Sequence, residues 1–152
     1  MDRAQQKVVV PVDQYAITQQ DVVFAADLRG SLALCLSDEV QEAGGLLHMQ
    51  AGRQGRMRDP ELSDNTLSSD LLLLDQCLHE LRRSEPRARH WQARLIAHAD
   101  EQAGGRERLL GIQNFIEAFL DDVQIRLVAC TIHEGAARLL LFRPALGEVS
   151  CE

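Results

Sequence analysis

At 152 residues the chain is long enough to bury a real core, and one domain is expected. Its 45% hydrophobic and 26% charged residues are those of a globular protein. A net charge of −7 argues against nucleic acid, which needs a basic face, and 4% aromatic residues argue against a stacking platform for bases.

Residues 7–12, KVVVPV, read as a short strand that Pro11 places at an edge or a bend. Residues 14–18 continue as a second extended piece. An apolar strand over 21–25 leads to a tight turn at Arg29-Gly30-Ser31. In the strand that follows, 32–36, Leu32, Leu34 and Leu36 alternate with Ala33 and Cys35. Neither face is polar, which predicts a central strand covered on both sides. After a polar loop, a third strand opens at Gly44-Gly45 and carries His48. A small hydroxyl residue at a glycine turn, with a histidine 17 positions later on another strand, is the layout a nucleophile and its base require. A turn serine and a half-buried histidine would give the same pattern, because such spacings discriminate loosely.

Residues 50–66 are polar and hold two glycines and a proline, which predicts a surface loop. Arg53, Arg56 and Arg58 make it locally basic, either as a solvated segment or as a contact for an acidic partner. A helix is expected over 63–83. Leu67, Leu71, Leu74, Leu78 and Leu81 form its apolar stripe, and Arg82-Arg83 suit the negative pole at its end. Pro86 stops it. Trp91 reads as a core or edge plug before a strand over 92–97. His98 beyond it reads as a loop residue, a ligand or a base. A turn at 103–106 opens a second helix, to about residue 123, with Leu109, Ile112, Ile116, Phe119, Leu120 and Val123 as its buried stripe. Asn114 in mid-helix is a poor helix former, so a hydrogen-bonding task toward core or cleft is expected. A strand over 124–130, a turn at 131–135, a strand over 137–143 and a closing strand over 148–151 complete the chain.

Strands interleaved with two long amphipathic helices predict an α/β (α+β) layered sandwich of mixed β-sheet with the helices packed outside. Cys35, Cys77, Cys130 and Cys151 form no C-x-x-C pair, so no metal and no cofactor is expected. Their scatter suits free thiols in a reducing cytoplasm. Residues 1–7 lack the apolar core of a secretion signal, and no apolar run approaches the ~18 residues of a membrane span, so no membrane insertion is expected.

The segments Leu28-Arg29-Gly30-Ser31-Leu32-Ala33-Leu34-Cys35-Leu36-Ser37-Asp38 and Gly44-Gly45-Leu46-Leu47-His48 resemble the signature of the CheD family, the bacterial chemoreceptor glutamine deamidases. Weaker likeness continues through Ala93 to Ala99, Leu110-Gly111-Ile112-Gln113-Asn114, and Phe142 to Val149. The resemblance implies strands sandwiched with helices outside, and a cysteine nucleophile, a histidine base and an assisting threonine. In gapless register these positions hold Ser31, His48 and Ala25, and Cys35 matches a second, non-catalytic cysteine. The nucleophile and its helper are therefore both replaced, and a degenerate site at Ser31 and His48 is expected.

Three functions follow. One is a deamidase-like binding protein that contacts a chemoreceptor cytoplasmic domain or a CheC-like partner. Arg29, Gly30, Leu47, Met49, Asn114 and Thr131 are its candidate contact residues, with Leu46 beside them. A second is a protein-glutamine deamidase using Ser31 with His48, the imidazole oriented by His98 or His133. A third keeps the fold for a role outside chemotaxis, since fold does not fix function.

Overall fold

A computed structural model describes residues 6–50, 60–100 and 105–152. The strands are β1 (Lys7–Val9), β2 (Gln14–Thr18), β3 (Val23–Leu28), β4 (Ser31–Asp38), β5 (Ala43–Gln50), β6 (Gln92–His98), β7 (Arg126–His133), β8 (Arg138–Arg143) and β9 (Glu148–Cys151). The helix α1 (Pro60–Ser84) lies between β5 and β6, and α2 (Gly105–Asp122) between β6 and β7. The strands form a four-stranded sheet, β1-β3-β8-β9, and a five-stranded sheet, β2-β5-β4-β6-β7. Both are mixed: β1–β3 and β6–β7 run parallel, and the other pairs antiparallel.

Side-chain alternation along each strand builds three layers. Leu32, Leu34 and Leu36 of β4 and Leu47 and Met49 of β5 pack beneath Leu74, Cys77, Leu78 and Leu81 of α1 and Leu109, Ile116 and Leu120 of α2. Ala33, Cys35, Leu46 and Ile96 point the other way and meet Phe24, Ala26, Leu28, Leu140 and Phe142 of the four-stranded sheet. Both helices thus cover one side of the five-stranded sheet, and the four-stranded sheet covers the other. Every residue of β4 is buried, as a strand apolar on both faces requires. Burial of each leucine in these layers is worth about 1.5–3 kcal/mol. Trp91 joins the helix-side core, as a plug at its edge.

Two features fix the register of β4 with β5. A Cβ on Gly44 would strike the carbonyl of Leu36 and come 2.5 Å from the Pro144 ring, so only glycine fits. At the end of β4, the fully buried Asp38 carboxylate accepts backbone N–H groups from Val40, Gln41, Arg89 and His90. Burial alone would push its pKa up, but these four bonds outweigh that and hold it below the usual carboxylate value.

Several boundaries differ from the sequence reading. The first strand ends at Val9 rather than running through Pro11, which lacks the N–H a ladder needs. The apolar strand begins at Val23 and runs on to Leu28, through Asp27, which is exposed. Residues 60–66 are helix, not loop, because Pro60 sits at the first helical position where its missing N–H costs nothing. Arg53, Arg56 and Arg58 lie outside the described residues. Thr131 and His133 belong to β7 rather than to a turn, since parallel pairing with β6 carries the strand to His133.

Candidate active site

Ser31 opens β4 directly after a turn in which Gly30 has a φ of +59°, a left-handed conformation that favours glycine. On β5, Ala33 pairs with His48 and Ser31 with Gln50. Ser31 and His48 are therefore diagonal neighbours, and period two sends both toward the four-stranded sheet. Their side chains meet there: Ser31 Oγ lies 2.9 Å from His48 Nε2. Both residues are 3% exposed.

The hydrogen-bond partners fix the protons. His48 Nδ1 lies 2.9 Å from the carbonyl oxygen of Val10, which only accepts, so Nδ1 carries the hydrogen. Nε2 is then a lone pair, and the Ser31 hydroxyl donates to it. Oγ in turn accepts the N–H of Arg29 at 3.1 Å. Burial holds the His48 pKa below that of a free imidazole, with the Val10 bond and the charges of Asp13 and Asp27 offsetting part of the effect. The ring is therefore neutral at pH 7. The arrangement is a hydroxyl, a neutral imidazole and a main-chain carbonyl in series.

Val10 is the residue that sequence reasoning missed. Its N–H donates to Ala25 in the four-stranded sheet, while its carbonyl receives His48 from the five-stranded one. Pro11 was the available signal, because a bend after a β-branched run is where a chain leaves one sheet for the other. His98 and His133, expected as orienting groups for His48, do not perform that task. His98 instead accepts the N–H of Gly30 at Nδ1 (3.0 Å) and faces the Gly135 carbonyl with Nε2 (2.8 Å).

Ala25 does not lie where a helper side chain would be useful. It pairs with Val9 and Leu141, whereas its neighbours Phe24 and Ala26 face the core between the sheets. Its methyl group therefore points to the outer face, away from His48, and only its carbonyl supports the site, through Val10. Cys35 shares the inner face with Ser31 but sits roughly 13 Å along the strand. It is fully buried, and burial drives its thiol pKa far up.

The expected contact residues scatter. Arg29 is exposed beside Gly30 and bonds Asp27 at 2.9 Å. Thr131 is exposed on β7, level with His48 in the ladder through Ala33 and Ile96. Leu46, Leu47 and Met49 are interior, at 1% exposure or less. Leu47 and Met49 face the helices and Leu46 faces the other sheet, so none offers a surface to a partner. Asn114 is exposed on α2, on the helix side of the sheet, so it serves neither core nor cleft. Among the described residues no cluster of three metal-ligating side chains occurs, and no helix is long and apolar enough to cross a membrane.

No family model matches the chain. It is 29% identical over 147 residues to a probable chemoreceptor glutamine deamidase, CheD, of Zymomonas mobilis, covering 94% of this chain and 77% of that one. A protein of the same name from Methylobacillus flagellatus is 22% identical over 142 residues, covering 90% of this chain and 68% of that one.

Proposed function

We propose that the chain is a CheD-family chemotaxis protein that binds chemoreceptors, its deamidase chemistry crippled at the nucleophile. The carrying observation is that His48 is oriented by the neutral carbonyl of Val10.

Glutamine deamidation is acyl transfer. The nucleophile bonds to the amide carbon, the C–N bond breaks, and ammonia leaves with a proton from the histidine. Water then cleaves the acyl-enzyme to give glutamate and the free nucleophile. A thiol near pKa 8.5 gives up its proton to an imidazole readily, and an imidazole steadied by a neutral group suffices. A serine hydroxyl releases its proton only as it attacks. The imidazolium so formed is stabilised in serine hydrolases by a buried carboxylate. At His48 a neutral carbonyl stands there instead. The electrostatics suit sulfur, and residue 31 presents oxygen.

What survives is a buried polar pair behind an exposed rim. In this reading Arg29 and Thr131 touch the receptor, and Gly30 takes part through its main chain. A CheC-type protein is the second partner. The protein works in the cytoplasm, where the receptor helices lie.

The test incubates the protein with chemoreceptor cytoplasmic fragments and measures binding and ammonia release together. Binding without release is expected from the wild type. Ser31→Cys should start release, and adding His48→Ala should abolish it. Release by the wild type that depends on Ser31 and His48 would mean an active serine deamidase. Failure to bind any receptor fragment would place the protein outside chemotaxis.

A further inference from the structure

We propose that His98 is the positioning residue of this site, clamping the turn that carries Ser31 to the turn between β7 and β8. The inference rests on Ser31 and His48 being the functional pair.

Both turns cross between the sheets. β3 lies in the four-stranded sheet and β4 in the five-stranded one, so the Arg29-Gly30 turn is a crossing between sheets. β7 and β8 likewise belong to different sheets, so the turn holding Gly135 is a second crossing. His98 ends β6, beside the start of β4, where Leu32 pairs with Ala97. The residue is 4% exposed, and its ring uses both nitrogens, one for each crossing. A backbone N–H only donates, so Nδ1 must be a lone pair and Nε2 must carry the hydrogen. One neutral tautomer thus satisfies both turns.

The bond to Gly30 sits one residue from the reacting hydroxyl. Gly30 is buried, so without His98 its N–H would lose its present acceptor, at a cost that favours moving the turn. The Asp100 carboxylate packs against the same glycine, since a Cβ there would come 2.8 Å from Asp100 Oδ2. The turn is therefore bonded by an imidazole and packed against a carboxylate. Releasing the first leaves Ser31 free to shift relative to His48. Misplacement by about 1 Å can cost a reaction up to roughly 100-fold.

The experiment uses Ser31→Cys and follows alkylation of residue 31 by iodoacetamide, with peptide-level mass spectrometry to separate it from the other cysteines. Adding His98→Ala should slow labelling by roughly tenfold or more while the protein still melts in one cooperative transition, at a temperature lowered by the lost buried bonds. His98→Gln offers an amide oxygen to Gly30 and an amide N–H to Gly135, and should restore most of the rate. Equal labelling with and without the imidazole would overturn the proposal. Where His98→Ala does not fold, or labelling is too slow to compare, nitrogen-15 spectra of the wild type decide. Pyridine-type Nδ1 and pyrrole-type Nε2 at His98, with a slowly exchanging Gly30 amide, are expected, and the opposite tautomer would overturn it. Neither readout needs a receptor, so failure here leaves the binding reading standing. Loss of receptor binding would leave this clamp untouched.

Discussion

The carbonyl of Val10 lies 2.9 Å from Nδ1 of His48, across the seam between two sheets that share no strand. The third member of the site is thus main chain, and no substitution at residue 10 other than one that moves the backbone can delete it. That changes how Ala25, where the resemblance implies an assisting threonine, should be read.

Ala25→Thr in the Ser31→Cys background should leave labelling and ammonia release within about twofold of the parent, because the side chain at 25 points to the outer face. The site is 1% exposed, so the added atoms should cost about 1–3 kcal/mol in chemical denaturation. A large gain in activity would show that a hydroxyl at 25 does reach the imidazole.

Acid should weaken the fold through His48. Its folded pKa lies below the unfolded value, so the unfolded chain takes up the proton first. Its contribution is complete above the unfolded pKa of about 6.5 and declines as pH falls below it. His48→Gln should flatten the stability profile between about pH 6.5 and 5, measured by urea midpoints across pH. An unchanged slope would mean that the ring is solvated.

Asp38→Asn should be among the more damaging single changes. Each carboxylate oxygen takes two backbone N–H groups, and an amide would turn a donor toward two of them. A loss of about 2–4 kcal/mol is expected from denaturant titration. The wild-type carboxylate, with its lowered pKa, contributes fully above about pH 4, and the contribution fades as pH drops through the folded value.

Gly44→Ala should cost about 3 kcal/mol or more, since neither the Leu36 carbonyl nor the Pro144 ring can yield without opening the sheet. Ser31 and His48 share that ladder, so adding Gly44→Ala to Ser31→Cys should also slow alkylation at residue 31.

The layered fold was legible because its signals are local. The leucine spacing of the two helices and the doubly apolar β4 each name a face, and the faces have few ways to stack. Ser31 and His48 were legible as a pair through motif likeness, and their diagonal register explains why a 17-residue separation works. Val10 was not legible, because a carbonyl has no residue type. Leu47 and Met49 misled because position beside His48 in sequence means the opposite face in a strand. Asn114 misled because poor helix propensity is tolerated on an exposed face as easily as it is used in a buried one. His98 was visible as an oddity, but its task needed two turns that lie 68 and 37 residues away.

A residue bonded to both sheets makes the site a gauge of how they are docked. A molecule that kept every strand but let the two layers drift would look folded to far-ultraviolet light. Its imidazole would already have lost its bearing, so recognition at this spot should fail before secondary structure melts.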